Sequence, residues 1–320
     1  MAYVFAVLSA FGMGLNDLCI QMGMRSGRVN SSQALIINLI SGNIFLLVLA
    51  AIEFFSKGFP NINYIGLVFF IASGISAPFL ARLLCYLAID SIGATRAGSL
   101  RVSDTFFTMI IAFFLFSDVI MLRSFFGSII LVTGIAILIY EMDNKRSDSE
   151  IAFTGKQDKV NRLENKENLF KRFSSSGLYF GSFLAITSGL LFAFGGIFRE
   201  MGIEQIPSAI LGSLISSMIA LMANAIYLYI TGQMGRSWNM SLRSTAFFAL
   251  GGIGNSFGIL AFFLALSGGV TVSVATALKN TSPVFTLCLA WLALRKIERI
   301  TVKLVGAIVM IVIGSTIIIL

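Results

Sequence analysis

The sequence predicts an all-α integral membrane protein with ten transmembrane helices, arranged as two inverted five-helix repeats. The composition is 57% hydrophobic and only 12% charged over 320 residues, and the mean hydropathy is +0.91. Apolar runs of membrane-spanning length follow one another along the chain, and short motifs recur in the same order in both halves. These three observations favour a chain that folds in lipid over a water-soluble domain.

Ten apolar runs come close to the roughly 20 residues that a helix needs to cross the hydrocarbon core. A hydrophilic segment at 141–176 mixes basic and acidic residues without apolar periodicity, which predicts a solvated linker between a first repeat at 1–140 and a second at 177–320. The runs lie near 3–24, 33–55, 63–89, 93–116, 120–140, 178–200, 208–231, 244–267, 270–294 and 300–320.

The two halves share motifs that keep their order. Asn38–Gly42 in the second span resembles Ser213–Ser217 in the seventh, and Ser99–Arg101 in the fourth resembles Ala277–Lys279 in the ninth. The matched segments are separated by roughly 175 to 179 residues, a regularity that chance similarity between apolar helices rarely produces. Because five spans per half is an odd number, we expect the halves to have opposite orientations, with a solute site between them near the membrane midplane.

The distribution of basic residues predicts an orientation. Even-numbered loops contain only Lys57, Arg123 and Arg199, whereas most other basic residues fall in odd-numbered loops or the linker. By the positive-inside rule the odd loops are then cytoplasmic and both termini lie outside. Basic loop residues of this kind face lipid headgroups, so the positive net charge does not require a nucleic acid partner.

Five charged side chains lie well inside predicted spans. Each costs about 2.5 to 3.5 kcal/mol at a helix centre, so we expect them to pair or to line a hydrated cavity. The three cations outnumber the two carboxylates, which favours a solute with a carboxylate or phosphate. The five residues are Asp17, Arg82, Arg101, Asp104 and Lys279.

Arg101 and Lys279 occupy matching positions in the two repeats. An inverted pseudo-twofold axis would bring them to one central site, where both would bind an anionic group of the solute. Ser103 and Asn280 beside them add hydroxyl and amide groups to the predicted site. In the alternative interpretation, Arg101 pairs with Asp104 three residues later, and Lys279 snorkels or pairs elsewhere.

Asn16 and Asp17 form a polar stripe on the otherwise apolar first span, and both are predicted to contact the solute. A carboxylate in a medium of low dielectric constant can exchange protons near neutral pH, so Asp17, and after it Asp104, are candidates for proton coupling. The alternative is a structural salt bridge from Asp17 to Arg82 or Arg101. Arg82 itself is either a solute ligand or a counter-ion that holds helices together.

The sequence offers little for enzymatic chemistry. It has no histidine and only three cysteines, which are scattered singly, so no metal site or disulfide framework is expected. A nucleotide-binding loop is not visible either, and we therefore expect neither a cofactor nor an enzyme.

Two segments resemble the EamA-type repeat of the drug/metabolite transporter superfamily. One runs from Leu278 through Pro283 and Phe285 to Gly314, and the other is a weaker copy from Ser99 to Gly134. The resemblance implies a ten-helix carrier of small solutes, and carriers of this type keep both termini in the cytoplasm, contrary to the charge distribution above. Asp104 stands where the family's first repeat has a proline, a departure at the predicted site.

Two narrower resemblances point to different solutes. The segment Arg101–Phe107 is similar to the phosphate-sugar translocators, which implies an anionic solute. Asp17 followed by Arg25 is similar to the small multidrug resistance family, which implies exchange of protons for a lipophilic cation.

The function that we predict is secondary active transport of a small organic metabolite bearing a carboxylate or phosphate, such as an amino acid, an organic acid or a phosphorylated metabolite. The alternatives are a proton-coupled multidrug or cation exporter that uses Asp17, and a membrane receptor or scaffold that transports nothing. We expect a multi-pass protein of the bacterial inner membrane, with lipid and a small-molecule solute as its partners.

Overall fold

The computed structural model is all-helical in the part of the chain that it describes. Long apolar segments form helices because every backbone N–H and C=O must be hydrogen bonded within the segment once water is absent. The predicted linker at 141–176 lies almost entirely outside the described residues. Those residues are 1–25, 31–58, 60, 62–92, 100–116, 125–137, 175–232, 240–294 and 302–319.

The helices follow the predicted spans closely. Each of the ten predicted apolar runs contains a described helix, although three of the runs are interrupted. In chain order the elements are α1 (Ala2–Arg25), α2 (Ser31–Lys57), α3 (Tyr64–Gly74), a π-helix (Ile75–Ala81), α4 (Arg82–Ile92), α5 (Asp104–Phe116), α6 (Phe125–Ile137), α7 (Ser175–Gln205), α8 (Ala209–Ile230), α9 (Leu242–Ser267), α10 (Val272–Lys279), α11 (Ser282–Leu294) and α12 (Val302–Ile319).

Six segments among the described residues are long and apolar enough to cross a membrane, which supports a multi-pass membrane protein. Two further apolar helices are shorter, Asp104–Leu115 and Phe125–Ile137. The six long segments are Ala2–Ile20, Gln33–Ser56, Tyr64–Cys85, Tyr179–Gln205, Ala209–Ile230 and Leu242–Ser267.

Helix packing interleaves the two halves of the chain. α1 packs on α9 and α11, and α7 packs correspondingly on α3, α4 and α5. α2 packs on α8, and α5 packs on α10, so contacts between the halves run through the centre of the protein. Residues near these contacts therefore come from both halves.

Close approach between helices depends on glycine at the α1–α9 contact. A Cβ atom on Gly12 would lie 2.7 Å from the backbone oxygen of Gly254 and from the backbone nitrogen of Gly258. Small residues let helix backbones approach in this way in membranes, where lipid removes the hydrophobic driving force between helices.

The third predicted span is interrupted by a π-helix around Pro78. Proline lacks the N–H that an α-helix uses, and the chain absorbs this loss over Ile75–Ala81 before α4 begins at Arg82. π-helical turns are frequent at functional sites in helices. The insertion places Arg82 at the start of a new helix, directly beside the interruption.

Candidate functional site

Both sequence halves contain a break in a helix beside the matched basic residues. After Arg101 the backbone turns at Val102 and Ser103, and α5 begins at Asp104. After Lys279 it turns at Asn280 and Thr281, and α11 begins at Ser282.

The two breaks share their hydrogen bonding. The N–H of Ser103 donates to Leu100 O at 3.1 Å, and the N–H of Thr281 donates to Leu278 O at the same distance. Broken helices are a common way to bring charged and backbone groups to a transport site.

Arg101 and Lys279 come together at one aromatic ring. Arg101 Cζ lies 5.5 Å from the centroid of Phe192, and Lys279 Nζ lies 5.9 Å from the same centroid. Lys279 also lies 5.7 Å from the ring of Phe262. A cation over an aromatic face is attracted by the ring quadrupole, so Phe192 holds the two matched cations next to each other.

Asp17 on α1 and Phe192 on α7 lie near the same cation. The Asp17 carboxylate is within electrostatic range of Arg101, whose Cζ lies 5.5 Å from the centroid of the Phe192 ring. The site therefore has a carboxylate on one helix and an aromatic ring on another.

Asp104 connects the halves through an ion pair. Lys279 Nζ donates to Asp104 Oδ2 at 3.2 Å, and the exposed fractions of the two side chains are 12% and 3%. Asn280 Nδ2 donates to Asp104 Oδ1 and, at 2.8 Å, to Thr105 Oγ1. Asn280, predicted to bind solute, is thus 6% exposed and engaged within the protein.

Ser103 packs against α7. A Cβ atom on Gly189 would lie 2.7 Å from Ser103 Oγ, so the hydroxyl sits directly on the glycine backbone. Its oxygen is buried without a hydrogen-bond partner among the described residues, and it lies one residue before Asp104.

Asp17 is exposed, while Asn16 and Leu18 on either side of it are buried. Asn16 Nδ2 donates to Asp17 Oδ1 at 3.3 Å, and Asn38 Nδ2 in turn donates to Asn16 Oδ1 at 2.8 Å. Asn38 on α2 therefore orients Asn16 on α1, and Asn16 in turn orients the carboxylate of Asp17.

The carboxylate of Asp17 lies within electrostatic range of Arg101 and Arg82, which are carried by other elements. α1 packs on α9, α10 and α11, whereas α4 packs on α7. Asp17 therefore adds a negative charge beside cations that other elements carry.

Arg82 is bound to α9. Its Nη2 donates to Asn255 Oδ1 at 2.9 Å. This contact is compatible with either predicted role of Arg82, as a bridge between helices or as a solute ligand. Its second terminal nitrogen, Nη1, has no hydrogen-bond partner among the described residues and can still donate.

The sequence pattern predicts Arg199 in a loop, and this prediction is wrong. α7 continues to Gln205, and Arg199 is a buried residue of this helix with 5% exposure. Its Nε donates to Ser73 Oγ at 3.1 Å, and its Cζ lies 5.6 Å from the rings of both Phe262 and Phe263. The apolar run ends before the helix does, so the sequence pattern assigns Arg199 to the loop after the span when it lies within the helix.

The charged groups form one cluster. Arg199 lies within electrostatic range of Arg82 and Lys279, and Lys279 within range of Arg101. With Asp17 and Asp104, these described residues hold two more positive charges than negative ones. The cluster can neutralise an anionic ligand at the centre of the fold.

Comparison with known proteins agrees with this architecture. The model of the EamA-like transporter family matches residues 1–140 and 179–320. A solved structure described only as a crystal structure of a protein has a TM-score of 0.71 at 12% identity, covering 99% of this chain and 96% of the other. At 12% identity, the similarity to this structure is informative about the fold alone. No curated protein matches the sequence.

The family model covers nearly the whole chain on either side of the hydrophilic segment. The family comprises membrane transporters of small solutes, and the apolar helices, the broken segments and the central charges fit that description. The chain therefore belongs to the EamA-like transporter family of the drug/metabolite transporter superfamily.

Proposed function

We propose that the protein is a ten-helix secondary carrier that moves a small organic solute with a carboxylate or phosphate group. In this proposal residues 1–140 and 177–320 are inverted repeats, and alternating access results from rocking of one repeat against the other. The observation that carries the proposal is the convergence of Arg101 and Lys279 on Phe192, at 5.5 and 5.9 Å.

The ion pair between Lys279 and Asp104 supplies a mechanism for coupling binding to movement. The solute's anion would compete with Asp104 for Lys279 and would attract Arg101 at the same time. Because Asp104 begins α5 and Lys279 ends α10, a change of partner at Lys279 alters a contact between the two halves. Ligands shift such equilibria by interacting differently with the two states.

Asp17 supports a second candidate, a proton-coupled exporter of cationic or lipophilic compounds. Its carboxylate is exposed inside the charged cluster, so a cationic solute and a proton could reach it in turn. The excess of positive charge around it favours the anionic solute.

We also propose that the protein resides in the bacterial inner membrane, with lipid around its apolar surface. Many large apolar side chains are exposed on the described helices, among them Ile44, Val48, Ile52, Val68 and Phe114. A transmembrane protein presents such residues to acyl chains.

The test is uptake and counterflow in proteoliposomes that contain the purified full chain. Amino acids, organic acids, phosphorylated metabolites and cationic dyes are compared with and without a pH gradient. Saturable counterflow of an anionic compound supports the proposal. Dye efflux driven by a pH gradient and lost in Asp17→Asn favours the second candidate, and the absence of any saturable transport favours a receptor or scaffold.

A further inference from the structure

Two buried hydrogen-bond donors beside the π-helix have no acceptor in the described part of the chain. Arg82 Nη2 uses Asn255 Oδ1, which leaves Arg82 Nη1 and Asn255 Nδ2 buried and unpaired. Asn255 is fully buried, with 0% exposure. An unpaired buried donor, and a charged one above all, is costly, so this pair is arranged to receive an acceptor oxygen.

Arg199 places a second cation near the same donors. It lies within electrostatic range of Arg82, and its Nε is held by Ser73, which precedes the π-helix by two residues. The neighbouring Glu200 directs Oε1 to the backbone N–H of Val272 at 3.1 Å, which ties that carboxylate to the start of α10.

The charges of the cluster indicate how many negative charges a ligand brings. Asp104 is paired with Lys279, and Asp17 lies within range of both Arg82 and Arg101, so it offsets one of them. The four cations of the cluster therefore exceed its two carboxylates by two positive charges. Because uncompensated charges are expensive away from water, a ligand with two negative charges suits the site better than a ligand with one.

We propose that Arg82, Asn255 and Arg199 form a second oxyanion subsite, distinct from Arg101 and Lys279, and that the solute carries two anionic groups. This inference rests on the proposed carriage of an anion and narrows it to dianions. A dicarboxylate and a phosphorylated acid share this chemistry. In either, one anionic group binds at Phe192 with the matched cations, and the other accepts hydrogen bonds from Arg82 Nη1 and Asn255 Nδ2.

Binding to the purified full chain in detergent tests the subsite without requiring transport. Isothermal titration compares succinate and glutarate with butyrate, and a phosphorylated hydroxy acid with its unphosphorylated parent. We expect the dianions to bind about tenfold or more tightly than the matched monoanions, the scale of one charge-assisted contact. The dicarboxylate and phosphate arms show which second group the subsite prefers.

Variants at Arg199 separate its charge from its packing. Arg199→Met keeps most of the volume and should reduce the preference for dianions to about twofold or less, because one charge-assisted contact is lost. Arg199→Lys keeps the charge and should retain most of the preference. Arg243→Met is the matched control, since Arg243 is an exposed arginine over Phe247 and outside the cluster.

Asn255→Asp provides an independent test that leaves no cavity in the protein interior. The new carboxylate would be isosteric and would sit beside Arg82, so it would occupy the subsite from within the protein. We expect binding of dianions to fall to the level of monoanions, while binding of monoanions is retained.

Several results would overturn the inference. Equal affinities for succinate and butyrate in the wild type, or an equal loss for both in Arg199→Met with normal folding, would refute the second subsite and leave anion carriage intact. If the wild type bound no anion in either arm, both the subsite and the proposed function would be wrong.

Discussion

Lys279 Nζ lies 3.2 Å from Asp104 Oδ2, and this ion pair joins the broken helix of the second half to the first turn of α5 in the first half. Both side chains are nearly buried, with exposed fractions of 12% and 3%. The pair therefore links the two halves, with the carboxylate from the first half and the cation from the second.

Breaking this pair on one side should destabilise the protein. Lys279→Met or Asp104→Asn leaves a buried charge uncompensated, which typically costs about 3 to 5 kcal/mol in the free energy of unfolding. The double variant should recover much of the loss. Unfolding by titration with sodium dodecyl sulfate measures both effects, and additive losses in the double variant would contradict the pairing.

Replacement of Gly12 tests the close contact between α1 and α9. A Cβ atom there would meet backbone atoms of Gly254 and Gly258 at 2.7 Å, so Gly12→Ala should lower the free energy of unfolding by about 1 to 3 kcal/mol. Gly306→Ala is the matched control, because a Cβ atom on Gly306 meets nothing within 4 Å. Equal stability of the two variants would argue against this packing.

Phe192 should influence the affinity for an anionic solute through the cations that it holds. Phe192→Leu removes the ring beside Arg101 and Lys279, and a loss of about 1 kcal/mol of cation–π attraction should raise KM about fivefold. Phe198→Leu alters the same helix at a ring stacked on Phe69 and Phe194 instead. Initial uptake rates in proteoliposomes compare the two, and an unchanged KM in Phe192→Leu would exclude this role.

Asp17→Asn separates the two functional candidates by the sign of its effect. Removal of a negative charge beside Arg82 and Arg101 should lower KM for an anionic solute, by about threefold to tenfold for a partly solvated charge. A proton-coupled exporter would instead lose its response to a pH gradient. The measurement is uptake as a function of solute concentration at two pH gradients, with Asn16→Ala as the control for the hydrogen bond alone.

The sequence predicts the helices well and the polar contacts less well. Apolar runs locate α1, α2, α8 and α9 within a few residues, because length and hydropathy decide what can lie in lipid. The sequence predicts Arg101 and Lys279 at one site, and both lie near the ring of Phe192 in the structure. Their solute contacts stay a prediction.

Three features were not recognised from the sequence. Arg199 follows the apolar run and looked like a loop residue, although α7 extends beyond it. The ion pair between Asp104 and Lys279 depends on how α5 packs on α10. Asn255 is not among the predicted site residues, and only the structure places it beside Arg82.

In the proposed mechanism Arg101 and Lys279 together bind the anionic group of the solute. Binding of a transported anion to Arg101→Gln and Lys279→Gln, measured by titration in detergent, shows whether they do. We predict that each substitution weakens binding by about tenfold or more, while the neutral amide analogue of the solute binds weakly and equally to all three proteins. Wild-type affinity for the anion in either correctly folded variant would contradict this mechanism.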